Sequence, residues 1–347
     1  MRAIVRCPVR HPPSAVSDRV ALGVDVGGTT IAVGAVTETG EILAEEQAAT
    51  HGSGPGTAIT TVLDLVDRLK DRVESSRAPI AGIGLGVPGI VDPATGAIAD
   101  EALNVPELGG VPLARVVGER FGVPAFIDND VNALALAEWT FGAGRGAASL
   151  VVLALGTGFG AGLVIDGRVV RGARGFGGEL GHTPVKFDGR PCWCGGRGCV
   201  AVYASGRGIA EAARERVTAG QRSSLLDVAG GDPLRITAPM VFLAAGSGDR
   251  VASDIVDEAC RALGAMIATV VNGLNPEVVV ITGGVAASFA TLEREVLGAA
   301  AEHTFRRALA GTRILIVPGD KRVTMRGAAA LAFHELDQDP GRARSPA

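Results

Sequence analysis

Residues 20–43 read VALGVDVGGTTIAVGAVTETGEIL, and residues 150–170 read LVVLALGTGFGAGLVIDGRVV. Each stretch predicts an apolar strand, a Gly/Thr turn, a second apolar strand, a short polar turn and a third strand. The polar turns are Thr37–Gly40 and Asp166–Gly167. Any two β-hairpins resemble each other, but here Gly and Thr recur at the same turn. We therefore predict a duplicated domain built on this meander.

Helices and strands alternate after each meander. Apolar residues at helical spacing predict an amphipathic helix over Ala58–Glu74, and Asn275–Pro276 is a stop signal for a long helix over Val251–Leu274. The other predicted elements are strands at Ile80–Val87, Pro124–Ile127, Val278–Thr282 and Ile314–Val317, and helices at Leu113–Phe121, Asn129–Trp139 and Arg326–His334. This pattern, occurring twice, predicts an α/β fold with a mixed sheet in each of two lobes. Ligands are expected in the cleft between the lobes, at the strand ends.

Composition and charge exclude several classes of protein. The 347 residues are 47% hydrophobic and 20% charged, which supports a large core. A net charge of -4 argues against nucleic-acid binding, which needs a clustered basic excess. Apolar runs such as Ile267–Val271 are too short to span a bilayer, and the first residues lack the apolar run of a signal peptide. We expect a cytoplasmic protein with no nucleic-acid or membrane partner.

The two Gly/Thr turns are candidate phosphate sites. In Asp25-Val-Gly-Gly-Thr-Thr30, backbone N–H groups and Thr hydroxyls can grip phosphate oxygens, and the Asp carboxylate can hold a hydrated magnesium ion. Taken alone, this turn is explained equally well as a tight hairpin that needs positive φ. The matching Gly156-Thr-Gly-Phe-Gly160 favours a clamp on the β- and γ-phosphates of a nucleotide. Neither turn is a Walker loop or the GxGxxG of a dinucleotide binder.

Two further segments carry side chains suited to a substrate with hydroxyl groups. Asp128-Asn129-Asp130 follows a predicted strand and opens a helix, where a single Asp or Asn suffices as the N-cap. A second carboxylate remains, and Asp130 at a strand end can accept the proton of a hydroxyl that attacks phosphorus. Glu179 and His182, three residues apart, can hydrogen-bond a polyol. A surface acid beside a buried histidine explains that pair equally well.

Cys192, Cys194 and Cys199 fall within eight positions, and His182 lies ten residues before the first of them. Cys3His is a closed tetrahedral ligand set for zinc, which leaves no position for a reactive water. In a reducing compartment such a cluster indicates a metal site rather than disulfides. We predict a structural, not a catalytic, zinc site. Cys7 and Cys260 lie outside the pattern.

Seven ordered motifs resemble those of the ROK family (repressors, open reading frames and kinases), above all its bacterial glucokinases. They are VDVGGTT, GVPG (Gly86–Gly89), IDNDVNALALAEW, LGTGFGAG, GELGH, CWCGGRGC and VVVITGG. The resemblance runs from about Val20 to about Leu336. It implies a two-lobed, actin-like, hexokinase-type (ribonuclease H-like) fold, ATP and magnesium as cofactors, and a homodimer. The implied lobes are 19–128 with 326–337, and 129–325 with the zinc-binding loop. The Pro-, Arg- and Ser-rich composition predicts mobile tails at 1–18 and 338–347.

The resemblance also implies the role of each site residue. Asp130 would be the base that takes the proton from the 6-hydroxyl of glucose or a close analogue, in an ATP-dependent phosphorylation; polyphosphate stays open as an alternative donor. The implied sugar-binding residues are Asn104, Asn129, Glu179 and His182, of which His182 also ligates zinc. The implied nucleotide-binding residues are Asp25, Gly27, Gly28, Thr29, Thr30, Gly156, Thr157, Gly158, Gly160, Gly283 and Gly284.

The chain departs from the glucokinase pattern on the sugar side. Ala201 stands where the family usually has a sugar-binding Glu; Leu108, Asp128 and Val131 replace a usual Trp, Glu and Ala. These departures favour, as an alternative acceptor, a glucose-like cyclitol or aminosugar. A repressor would carry a helix-turn-helix domain before the Asp-x-Gly-Gly-Thr motif, and only 24 residues precede Asp25. We therefore expect a kinase, and the presence of Asp130 also disfavours an inactive sugar sensor.

Overall fold

The structure, a computed structural model, describes residues 19–52, 54, 56–75, 79–99 and 105–338. The chain divides into two compact units. Unit 1 comprises the described residues up to Ser149, Leu163–Gly177 and those from Lys321 onward; unit 2 comprises Leu150–Gly162 and Gly178–Asp320. Asn104 and residues 1–18 and 339–347 of the predicted tails lie outside the described residues.

The secondary structure alternates as the sequence predicts. The strands are β1 (Val20–Val26), β2 (Thr30–Thr37), β3 (Ile42–Ala49), β4 (Ile80–Val87), β5 (Ala125–Asn129), β6 (Ser149–Leu155), β7 (Phe159–Ile165), β8 (Arg168–Val169), β9 (Val278–Thr282) and β10 (Arg313–Ile316). The helices are α1 (Ala58–Glu74), α2 (Leu113–Phe121), α3 (Asp130–Thr140), α4 (Ala201–Ala204), α5 (Gly206–Thr218), α6 (Leu225–Val228), α7 (Ala238–Gly246), α8 (Arg250–Leu274), α9 (Ala286–Ala290), α10 (Glu293–Glu302), α11 (Arg306–Gly311) and α12 (Lys321–Gln338). None of these described helices is both long and apolar enough to cross a bilayer.

Each meander begins a five-stranded mixed sheet. The strand orders are β3-β2-β1-β4-β5 and β10-β9-β6-β7-β8. In the first sheet β1 pairs antiparallel with β2, and β4 lies parallel to both β1 and β5. In the second sheet β9 lies parallel to both β6 and β10. The two orders correspond strand for strand, β6 to β10 matching β1 to β5, which agrees with the predicted duplication.

Helix α12 lies directly on the first sheet. A Cβ atom at Gly84 of β4 would stand 1.7 Å from the carbonyl oxygen of Ala328, and one at Gly23 of β1 would stand 2.0 Å from that of Met325. Any side chain at either position would push α12 off the sheet. The close approach seals the unit-1 core, in which Leu22, Val24, Ile83, Leu85, Ala328 and Leu331 are fully buried.

Some boundaries differ from the predictions. The helix predicted from Asn129 begins at Asp130, because Asn129 is its N-cap. The last helix is longer than Arg326–His334 and includes Gln338, which was assigned to the tail. Whereas the sequence predicts that the second lobe begins at residue 129, α3 belongs to unit 1, because it packs against α12, β4 and β5.

Candidate active site and metal centre

The turn between β1 and β2 directs backbone amides away from the protein interior. The N–H of Gly27 donates to the carbonyl of Thr30 at 3.0 Å and closes the turn. Thr50, fully buried after β3, holds the turn from behind: its N–H donates to the carbonyl of Thr29 at 3.0 Å and its hydroxyl to that of Gly27 at 2.6 Å. Because the N–H and C=O of one peptide point in opposite directions, the N–H groups of Gly28 and Thr30 point away from Thr50. Backbone N–H groups directed to one side of a turn in this way are the donors that a phosphate cradle would need.

The turn between β6 and β7 in unit 2 is held in the same manner. The N–H of Gly156 donates to the carbonyl of Gly158 at 3.0 Å. The start of α5 occupies the next carbonyls: Gly206 N–H donates to Gly156 at 2.9 Å, and Arg207 N–H donates to Thr157 at 3.0 Å. The N–H groups of Thr157 and Gly158 therefore point away from α5, and both residues are exposed. The predicted Gly160 lies two positions after Gly158 and is the second residue of β7.

The first glycine of the pair after β9 is required by its backbone conformation. Gly283 has φ of +105°, and a Cβ atom there would stand 2.5 Å from the carbonyl oxygen of Leu155 at the end of β6. Val285 N–H donates to that same oxygen at 2.9 Å. Gly284 is exposed, and the space where its Cβ would lie is open. A ligand can therefore approach the main chain at Gly284 closely.

Asn129 caps α3 and anchors a neighbouring loop. Its Oδ1 accepts hydrogen bonds from the N–H groups of Val131 at 2.8 Å and Asn132 at 3.4 Å, as an N-cap does. Its Nδ2 donates to the carbonyl of Gly89 at 2.9 Å, in the GVPG segment. The capping role left open by the sequence thus falls to Asn129. Its contact with a sugar stays a prediction.

Asp128 is a structural carboxylate. Only 2% of the residue is exposed. Its Oδ1 accepts from the N–H of Asn129 and from Asn132 Nδ2, both at 2.8 Å, and its Oδ2 accepts from Arg171 Nε at 2.6 Å. Arg171 Nη2 also donates to Glu335 Oε1 of α12 at 2.6 Å. Because both oxygens of Asp128 are bonded and its charge is paired, it is unsuited to accept a substrate proton.

Asp130 and Asp25 form a pair of interacting carboxylates in unit 1. Asp130 occupies the first turn of α3 and is partly exposed. Burial, together with the charge of Asp130, raises the pKa of Asp25 to about 7. Such mutual repulsion between acids, one of them titrating near neutrality, is typical of sites that handle protons and cations.

Four side chains of unit 2 fit a zinc ion. The ligand atoms of His182, Cys192, Cys194 and Cys199 all lie within 4.8 Å of one another. His182 Nδ1 is 3.5 Å from Cys192 Sγ, and Cys194 Sγ is 3.7 Å from Cys199 Sγ. Tetrahedral zinc with its usual bond lengths needs N···S and S···S edges of about 3.6 and 3.8 Å. Burial raises the pKa of Cys199 to about 12, so binding of a metal would have to displace its proton.

His182 presents its two ring nitrogens to different neighbours. Nδ1 faces the cysteines, whereas Nε2 is 4.0 Å from Glu179 Oε2. The side chains of His182 and Glu179 are 32% and 42% exposed, so a ligand can reach both. This geometry allows one histidine to hold a metal and contact a substrate together with Glu179.

The sequence model of the ROK family matches residues 21–335 of the chain. The chain belongs to the ROK family. It is 40% identical to the glucokinase of Halalkalibacterium halodurans over 283 residues, which cover 81% of this chain and 84% of that protein. The ROK family glucokinase from Streptomyces griseus, solved in complex with glucose and AMPPNP, gives a TM-score of 0.68 at 32% identity, covering 90% of this chain and 99% of that one. The xylose repressor of Caldicellulosiruptor bescii is 34% identical over 279 residues, 80% of this chain and 68% of that protein.

These similarities confirm the predicted family and the predicted fold. Membership of the ROK family is confirmed by the family match and by the glucokinases. The α/β fold of the two-lobed actin-like type is confirmed by the solved ROK hexokinase and glucokinase structures. The repressor shows that the same family also includes proteins whose names denote regulation.

Three residues that support the site of this ROK family protein went unpredicted: Thr50, Arg171 and Glu335. Thr50 is an ordinary threonine at a strand end, and nothing local distinguishes it. Arg171 lies 43 residues after its partner Asp128, and Glu335 lies a further 164 residues after Arg171. A buried acid next to a helix start does predict a cationic partner somewhere in the chain, but its position cannot be read from one sequence.

Replacing Asp25 by Asn is expected to abolish turnover yet stabilise the ligand-free protein at pH 8. The pKa of Asp25 is about 7 in the folded protein, against 3.8 for an unperturbed Asp. An acid whose pKa is raised by folding contributes stability below pH 4, and this contribution is lost as the pH rises through 7. For a shift of this size the loss is up to about 4 kcal/mol. Thermal unfolding of both proteins at pH 4 and pH 8 measures this. A stability gain that is the same at both pH values would contradict the assignment.

Proposed function

We propose that this ROK family chain transfers the γ-phosphoryl group of ATP to the primary 6-hydroxyl of glucose or a close analogue, with Asp130 as general base. The coarser prediction, an ATP-dependent hexose kinase of the glucokinase type, is confirmed by the glucokinases to which the chain is similar. Those similarities also support ATP as the nucleotide and a sugar as the substrate.

The division of roles at the start of α3 carries the proposal. Both oxygens of Asp128 are hydrogen-bonded, one of them to Arg171, and Oδ1 of Asn129 caps the helix. Asp130, in the first turn of α3, is partly exposed and lies close enough to Asp25 for their charges to interact. In the proposed step the sugar O6 forms a bond to the γ-phosphorus while the bond to the β,γ-bridging oxygen breaks. ADP leaves with that electron pair, and the hydroxyl proton passes to Asp130.

The Gly/Thr turns supply electrostatic stabilisation in this proposal. The amides of Gly28 and Thr30 in one turn, and of Thr157 and Gly158 in the other, would donate to phosphate oxygens as charge moves toward the leaving group. Magnesium, when bound, neutralises phosphate charge; Asp25 would hold it through its water shell. Gly284 would lie against the nucleotide.

Zinc is proposed as a structural ion held by His182, Cys192, Cys194 and Cys199. When bound, it fixes the zinc-binding loop and the ring of His182. His182 Nε2 and Glu179 would then hydrogen-bond hydroxyls of the acceptor. Asn129 Nδ2 keeps a second hydrogen for a sugar oxygen beside its bond to Gly89. The proposed contact of Asn104 falls outside the described residues.

Ala201 supports the alternative acceptor, a cyclitol or aminosugar. It is the first residue of α4 and is only 1% exposed. An alanine offers no hydrogen bond where the family resemblance implies a carboxylate. A substrate that lacks the anomeric hydroxyl, or carries an amine elsewhere, would not need that bond.

Coupled measurement of ADP release tests the proposal directly, with Asp130→Ala as the blank. The acceptors are glucose, mannose, N-acetylmannosamine, N-acetylglucosamine, 3-amino-3-deoxyglucose and a valiolone-type cyclitol; the donors are ATP–Mg and polyphosphate. Efficient glucose turnover supports the main proposal. Strong turnover of the aminosugar or cyclitol beside weak glucose turnover supports the alternative. Light scattering of the same samples tests the expected homodimer.

Ala201→Glu is expected to raise kcat/KM for glucose about 10-fold or more. A charged hydrogen bond to one hydroxyl is worth about 1.5–3 kcal/mol, which corresponds to roughly 10- to 150-fold. Ala201→Gln is the matched control, because it adds nearly the same volume to this buried position without the charge. If neither variant improves glucose turnover although both fold, position 201 does not set the acceptor.

A further inference from the structure

We propose that Arg171 is a positioning residue, which holds the first turn of α3, and with it Asp130, in place through the carboxylate of Asp128. The inference rests on the proposed role of Asp130 as the base. It concerns residues of unit 1 alone.

Asp128 ties down the first turn of α3 at two points. One oxygen, Oδ1, accepts from the backbone N–H of Asn129 just before the helix and from the side chain of Asn132 within it. Asp130 lies between these two points. A rotation of Asp128 would release both bonds and free the turn that carries Asp130.

Arg171 fixes the orientation of Asp128. Its Nε bonds the second oxygen of Asp128, and its Nη2 bonds Glu335 of α12, each at 2.6 Å. Burial works against the charge of Arg171, but Asp128 and Glu335 outweigh it and raise the pKa of the guanidinium, so the residue stays charged. A guanidinium offers these two N–H groups in one rigid plane. Helix α12 is itself seated on the sheet, and Arg171 thereby links the start of α3 to a fixed element.

An adjacent cavity offers space into which the side chain of Asp128 could turn if Arg171 were removed. Asp128, Arg171 and Glu335 line a cavity of about 710 Å³ between α2, β5 and the loop around Asp92–Gly96. A buried carboxylate that loses its partner gains by turning toward water. In the absence of Arg171 the cavity gives Asp128 that route, away from Asn129 and Asn132. Asp130 would then lose its supported position while the Gly27–Gly28 turn keeps its own support from Thr50.

The test compares Arg171→Met and Arg171→Lys with the wild type, by kcat, by KM for ATP and for the sugar, and by thermal unfolding. Arg216→Met is the matched control. The side chain of Arg216 is 29% exposed, against 28% for Arg171, and its Nη2 lies 3.6 Å from Oε2 of Glu258 on α8. Displacing a reacting group by about 1 Å costs roughly 100-fold in rate. We expect Arg171→Met to lower kcat about 100-fold with KM for ATP within about twofold, since no phosphate contact changes. Arg171→Lys, which keeps the charge, should lose less, and Arg216→Met should keep wild-type kcat.

A kcat of Arg171→Met within about threefold of wild type, or a loss matched by the fraction of unfolded protein, would overturn the inference. If Arg171→Met does not fold, the double variant Asp128→Asn/Arg171→Met, which removes the buried charge of Asp128 together with that of Arg171, replaces it. A folded double variant with low kcat supports the positioning role, and one with wild-type kcat overturns it. Wild-type protein that releases no ADP with any acceptor would overturn the proposed function, and this inference with it.

Discussion

Replacing Asp130 by Asn is expected to lower kcat by about 1,000-fold, because a positioned general base contributes 100- to 10,000-fold. Asn keeps the size of the side chain and can still contact a hydroxyl, but it cannot take the proton. We expect KM for ATP and for the sugar to change little, since the proton moves only in the transition state. Steady-state ADP release measures kcat, and calorimetry with the sugar alone measures binding without turnover.

Stability separates loss of the base from loss of the fold in this variant. The charge of Asp130 helps to raise the pKa of Asp25, so its removal relieves a repulsion. Asp130→Asn should therefore unfold at the same temperature as the wild type or higher, at pH 8. Asp64→Asn, on the exposed face of α1, is the control for the same chemical change and should leave kcat intact. If Asp130→Asn keeps more than about a tenth of wild-type kcat, Asp130 is not the base.

The sequence predicted those features that depend on neighbouring residues. The strand meanders, the Gly/Thr turns and helix α1 follow from periodicity and turn chemistry, and the structure has them where they were expected. The Cys3His cluster is equally local, since its ligands span 18 positions from His182 to Cys199. In each case the interacting atoms lie within one or two elements, and a pattern of residue types is sufficient.

The sequence favoured Asp130 as the base but did not show which residue of Asp128-Asn129-Asp130 caps the helix and which is paired. The structure gives the cap to Asn129, which also bonds Gly89, and the ion pair to Asp128 through Arg171, which itself bonds Glu335. These partners reach the triplet from distant parts of the chain. The assignment of α3 to unit 1 has the same origin: α12 returns from the end of the chain and packs on it. Tertiary contacts of this kind leave no local pattern.

Replacing Cys199 by Ser is expected to remove bound zinc and to raise KM for the sugar up to about tenfold. A serine hydroxyl is a poor zinc ligand at neutral pH, and a closed four-ligand site with one ligand missing binds the metal far less tightly. Without the ion the ring of His182 is no longer held by the cysteines, so Nε2 loses its fixed direction beside Glu179. A zinc-bound histidine is neutral, and loss of one neutral hydrogen bond, worth about 0.5–1.5 kcal/mol, corresponds to roughly 2- to 12-fold in affinity. Metal analysis of the purified protein gives the zinc content independently of activity.

Cys260→Ser is the matched control, because Cys260 and Cys199 are both buried, at 4% and 2% exposure, and Cys260 lies on α8 outside the cluster. Both variants bury a hydroxyl in place of a thiol, and both should lose some stability. Cys199→Ser alone should lose the metal, and KM for ATP should stay near the wild-type value, since the turn at Gly156–Gly158 is held by the start of α5. Stoichiometric zinc in Cys199→Ser would show that the cluster is not the binding site. Wild-type sugar affinity in zinc-free protein would show that the ion does not position His182.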